Sequence, residues 1–169
     1  IAEVHYNLGL AYGKSGMHKE AIESFKQAIK INPDYRDAHY NLDVAYSKSG
    51  MNYIKSGMQK EAIESFKQAV KINPDDADAH YNLGAVYSKS GKYEEAIESY
   101  KQAIRIDPDD AKAHYNLGNA YFKSGKYKEA IESYKQAIRI NPDYANAHYN
   151  LDVAYGKSGM NKEAIEAVP

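Results

Sequence analysis

The chain has 169 residues, a formal net charge of −1 and a pI near 6.7, with six histidines and no cysteine. The even charge gives no basic footprint for nucleic acid and no bias toward a membrane surface, and no apolar stretch is long enough to span a bilayer. Without cysteine there is no disulfide framework and no thiolate metal or redox site, which favours the cytosol only weakly and leaves the compartment open.

The block His-Tyr-Asn-Leu recurs at His5, His39, His80, His114 and His148, in steps of 34, 41, 34 and 34 residues. A copied unit of this length predicts a stack in which each unit meets only its neighbours. The units run 2–35, 36–76, 77–110, 111–144 and 145–169, and together they read as one solenoid over 1–169. In the first, Leu8, Gly9 and Tyr12 are followed by Ala21 and Phe25, then Pro33. The second holds seven extra residues, 52–58, and carries Lys-Ser-Gly-Met twice, at Lys48 and Lys55. Seven residues are close to two helical turns, so helical phase survives, and Met51, Ile54 and Met58 keep apolar spacing. The expected outcome is a protruding hairpin; the alternative is one long helix from about Asp37 to Ile72 that swaps halves between two chains. Asp43 stands where the complete regular units have Gly and is expected to face Ala62, a costly place for an unpaired carboxylate.

The third unit shows the regular logic. Leu83 and Tyr87 lie one turn apart, so the first half predicts a helix, ended by Lys89-Ser90-Gly91. Tyr93, Ala96, Ile97, Tyr100, Ala103 and Ile104 form the apolar stripe of a second. Asp107-Pro108 stops it and suits the N-cap and first position of the next helix. Gly84 opposite Ala96 leaves room for close approach. The last unit lacks most of its second helix. The chain therefore reads as a piece of something longer, whose uncapped Leu151, Ala154 and Tyr155 invite head-to-tail stacking.

Leu83, Gly84, Tyr87, Ala96, Tyr100 and Pro108, with Leu8, Gly9, Tyr12, Ala21, Phe25 and Pro33, resemble the tetratricopeptide repeat pattern, with His in place of its Trp. The resemblance implies an all-α right-handed superhelix of antiparallel helical hairpins, an α-solenoid acting as a protein-interaction scaffold.

Five aligned histidines suggest a metal, but neighbouring helices lie about 8–10 Å apart and zinc ligands about 2 Å from the ion. Packing is the better reading. The repeated serines Ser24, Ser65, Ser99 and Ser133 have no histidine at fixed spacing, so no nucleophile is assembled, and phosphate loops are absent. The chain is expected not to be an enzyme and to need no cofactor or metal.

Asn7, Asn41, Asn82, Asn116 and Asn150 recur beside Tyr6, Tyr40, Tyr81, Tyr115 and Tyr149, although Asn is a mediocre helix-interior residue. The resemblance places this position on the concave groove, where similar asparagine ladders, as in O-GlcNAc transferases, hold a peptide backbone by the amide. A carboxamide offers donors and an acceptor without regard to side chains. Leu10, Val44, Ala85, Asn119 and Val153, three places on, vary and can carry specificity. Tyrosine fills the first lysine place of the clamp that binds chaperone tails, so those tails are not the expected partner. The expected partner is a protein or an extended peptide, not nucleic acid or a membrane. The alternatives are a substrate-recruiting arm of a larger enzyme and a self-assembling architectural repeat.

Overall fold

A computed structural model describes residues 1–159. Among them are nine helices and no strand: α1 Ala2–Lys14, α2 His18–Ile31, α3 Arg36–Lys55, α4 Gln59–Ile72, α5 Ala77–Lys89, α6 Tyr93–Ile106, α7 Ala111–Lys123, α8 Tyr127–Ile140 and α9 Ala145–Ser158. None of these helices is long and apolar enough to cross a membrane. The chain divides into two compact units, Ile1–Val86 and Tyr87–Pro169.

In the first unit α1 and α2 form a hairpin whose core is Ala21 and Phe25 against Leu42 and Ala45 of α3. Gly9 makes the pair close: a Cβ there would lie 2.6 Å from the Phe25 ring. The small residue of the first helix thus faces the aromatic of the second, not its alanine. The same arrangement recurs in the second unit, where a Cβ on Gly118 would meet the Tyr134 ring at 2.6 Å. There Ala130, Ile131 and Tyr134 pack with Leu151, Ala154 and Tyr155. The last three are therefore buried against α8 and are not the open apolar surface expected of them. The expectations about a truncated and uncapped last hairpin fall on 160–169, outside the described residues.

The extra seven residues lengthen α3 to 20 residues, against 13 for α1. Its first Lys-Ser-Gly-Met stays helical, and the chain turns at the second, where Gly57 takes φ +72° and Met58 N–H bonds back to the Tyr53 carbonyl at 2.9 Å. The first hairpin turns in the same way, Gly16 at φ +73° and Met17 N–H on the Tyr12 carbonyl at 3.0 Å. Residues 37–72 are thus two helices folded back on each other, and the long helix required by a swapped dimer does not form.

The returning helix slides with the turn. Gly50, not Asp43, takes the glycine's place, with a Cβ position 2.7 Å from the Phe66 ring. Relative to α4, then, Ser47, Lys48, Gly50 and Tyr53 stand where Tyr6, Asn7, Gly9 and Tyr12 stand relative to α2. Relative to α1 and α2, Leu42 and Ala45 keep the ordinary register. Helix α3 serves two registers about 10 Å apart along its axis. Asp43 no longer meets Ala62; it is only 2% exposed and accepts a bond from Asn73 Nδ2 at 3.2 Å, leaving Oδ1 without a partner.

Between helices, Asn32, Asp107 and Asn141 do not cap the next helix as the Asp-Pro reading expects. Their side chains accept from the backbone N–H two residues on, at 3.2–3.3 Å, closing Asx turns around the proline. The N-cap falls three residues later, where Asp110 accepts from Lys112 N at 2.8 Å and Ala113 N at 3.2 Å.

Candidate functional site

In the second unit, α7 and α9 present Tyr115, Asn116, Asn119, Asn150 and Val153 to an open cavity of about 550 Å³. The Tyr115 ring lies 5.9 Å from that of Tyr134 and 4.9 Å from that of Tyr144. Tyr134, 1% exposed, donates its hydroxyl to Asn119 Oδ1 at 2.8 Å. Burial, then the neighbouring Tyr115, hold that phenol well above the usual tyrosine range. Asn150 Nδ2 donates to the same Asn119 oxygen at 2.9 Å and to Tyr115 Oη at 3.1 Å. Both hydrogens of this amide are committed, and Oδ1 is left as its groove-side acceptor. Asn119 Nδ2 reaches Asn116 Oδ1 at 3.5 Å, the limit of a hydrogen bond. Lys89 and Lys123 also line the cavity, and among the described residues no carboxylate does.

The first unit repeats the motif once. Tyr6 lies 5.9 Å from Phe25 and 4.9 Å from Tyr35, ring centre to ring centre. Asn41 Nδ2 donates to Tyr6 Oη at 3.3 Å and to the Asp37 carbonyl at 2.8 Å. A carbonyl can only accept, so Nδ2 must point inward and Oδ1 is again the free end. Asn7 is exposed, while Tyr81 and Asn82 are half-buried. Tyr40 is 65% exposed, because Phe66 sits two turns along at Gly50 and no ring reaches it. Tyr149 is 71% exposed. The slip also separates Asn82 from the preceding asparagine: Lys48, not Asn41, lines a cavity with it.

The histidines have a role that the sequence reading missed. Nε2 of His39, His80, His114 and His148 meets the carbonyl of the proline six residues upstream at 2.8–3.0 Å, stapling each turn to the helix it opens. The signal was present as a fixed Pro-to-His spacing. Among the described residues no three His, Asp or Glu side chains are grouped to hold a metal. Ser24, Ser99 and Ser133 donate to the carbonyl four residues back at 2.9 Å, buried in their helices. The tyrosine hydroxyls that organise the asparagines, and Asn119 as their hub, were legible only as a variable position turned polar in one unit.

Family models described as "TPR repeat" match residues 51–91, 86–125 and 118–159, and "Tetratricopeptide repeat" matches 2–35. Comparison with curated proteins finds no match. Among solved structures, MamA is similar at 28% identity and TM-score 0.70, over 98% of this chain and 86% of that one. The second TPR domain of human RPAP3, solved with the HSP70 peptide SGPTIEEVD, is similar at 27% identity and TM-score 0.63, over 66% of this chain and 97% of that one. An O-GlcNAc transferase of Thermobaculum terrenum is similar at 30% identity and TM-score 0.62 over 69% of this chain, which spans 22% of the transferase. With model matches over most of its length and an all-helical hairpin fold, the chain belongs to the tetratricopeptide repeat family.

Proposed function

We propose that the chain is a non-catalytic protein-interaction scaffold, one solenoid of repeats, and that Asn116 and Asn150, with Asn7, Asn41 and Asn82 as their counterparts, bind an extended peptide in the groove. The observation that carries this is the state of Asn150: its amide hydrogens are spent on Tyr115 and Asn119, while its oxygen remains at a cavity. Oxygens oriented like those of Asn150 and Asn41 take backbone N–H groups, which every ligand residue but proline supplies. Steps of about 10 Å between helices are close to about 9.3 Å for three residues of an extended polyproline-II strand. Tyr6 and Tyr115 set the ladder through their hydroxyls, and Tyr40, Tyr81 and Tyr149 flank it. Lys89 and Lys123 favour an acidic residue beside the bound stretch, and the peptide bound by the RPAP3 domain gives general support to peptide capture by this fold.

The test is selection of binding peptides from a displayed library on the intact chain, followed by titration against variants. Asn116→Ala with Asn150→Ala should weaken the selected peptides by roughly tenfold or more, at about 0.5–1.5 kcal/mol for each hydrogen bond. Equal affinity for wild type and variant removes the ladder from the account. A second reading, a recruiting arm of a larger enzyme, is favoured by the transferase match, in which this chain corresponds to a minor part of the whole.

A further inference from the structure

The slip in α3 changes the chemistry of the joint that follows it. At the regular joint Tyr6 fills the space against Tyr35 and takes a bond from Asn41. One slipped register later the same places hold Ser47, Asp76 and Asn82. A hydroxymethyl and a carboxyl replace two phenol rings, and the open cavity there, about 510 Å³, is similar in size to the one of about 550 Å³ at the regular joint of Tyr115 but has no tyrosine among its described lining residues. Its walls carry both signs of charge. Lys48 and Lys55 come from α3, with Asp76 at the start of α5 and Asp78 in its first turn. No ion pair joins the lysines to the aspartates, and Asp76 Oδ1 instead accepts from the Ala79 N–H at 2.9 Å, capping α5. The joint is also under-satisfied: the three buried side-chain atoms without a partner among the described residues are His18 Nδ1, Asp43 Oδ1 and Ser47 Oγ, and His18 and Ser47 line this cavity.

Charges of both signs on the walls of one open cavity are well served by a ligand of the opposite polarity. We propose that the slipped joint is a binding site for a dipolar peptide segment, with an acidic side chain set against Lys48 and Lys55, a basic one against Asp76 and Asp78, and Ser47 and Asn82 between them. The proposal concerns the first unit and deepens the peptide reading there. It fails separately from that reading, because the Asn116 and Asn150 groove lies in the other unit.

The experiment is a nitrogen–proton correlation titration of the whole chain with the capped pentapeptides Ala-Lys-Ala-Glu-Ala and Ala-Glu-Ala-Lys-Ala, and with a control in which Met and Gln replace Lys and Glu. One charge order is expected to give saturable shifts at Lys48, Met51 and Asn82 that the neutral control does not. Lys48→Gln and Asp78→Asn, both at exposed positions, should each weaken binding about tenfold, as loss of a charged partner does. Ser47→Tyr restores the ring of a regular joint and should abolish binding, whereas Asn150→Ala should leave it unchanged. The proposal is overturned if neither charged peptide shifts these residues, if the neutral one binds equally, or if both charge-removing variants bind as wild type does.

Discussion

The asparagines of this chain do structural work before any ligand arrives. Asn150 holds Tyr115 and Asn119 in place, so Asn150→Ala should lower stability by about 0.5–1.5 kcal/mol in denaturant unfolding, although alanine is the better helix former. Unchanged stability would mean that the Tyr115 and Asn119 bonds contribute nothing net. Asp43 is the other residue whose setting decides its behaviour. Burial, with the Asp76 carboxyl nearby and against the opposing bond from Asn73, pushes its carboxyl up to about 6. An unfolded aspartate titrates near 3.9, so the native chain holds this proton more tightly. The stability it confers is present below about pH 4 and is lost as pH rises through about 6. Asp43→Asn should therefore be more stable than wild type at pH 7, by on the order of 2 kcal/mol, and the two should converge toward pH 4. Parallel stability curves between pH 4 and 7 would show that Asp43 titrates normally.

At the scale of elements, α3 is where sequence and structure part. The helices and their turns were legible, because apolar spacing and Lys-Ser-Gly signals act within a few residues; the glycine's partner was not, and it is the aromatic ring rather than the alanine. The slip was not, because the same tetrapeptide, Lys-Ser-Gly-Met, is helix at Lys48 and stop at Lys55. What separates them is Phe66, which needs a residue without Cβ beside it and finds it at Gly50. Tertiary contact there outweighs the cost of about 1 kcal/mol for glycine inside a helix. Gly50→Ala should thus destabilise by about 1–3 kcal/mol through overpacking, whereas relief of the helix cost alone would stabilise. Deleting Asn52 to Met58 restores the 34-residue period but brings Asp43 opposite Phe66. The deletion alone should lower the melting temperature, and adding Asp43→Gly should recover most of the loss. A deletion that melts like wild type without the glycine would refute the two-register description of α3.

For the molecule as a whole, the proposed function rests on repetition with two departures: Asn119, which ties one groove into a hydrogen-bonded floor, and the slip, which puts both signs of charge at one joint. The ladder positions were legible as a recurring amide beside a recurring tyrosine. Which end of the Asn41 and Asn150 amides faces outward was not, because the tyrosine hydroxyls and the Asp37 carbonyl that orient them come together only in the folded chain. That orientation gives the central claim its sharpest form, since oxygens that accept can bind only a ligand that donates. The direct measurement is the affinity of a library-selected groove peptide compared with versions in which single backbone N–H groups are replaced by ester oxygens. The account predicts that one or two positions, about three residues apart, lose roughly five- to tenfold each, and that the loss at one of them vanishes in Asn150→Ala. Esters that bind as well as the amide at every position would contradict it.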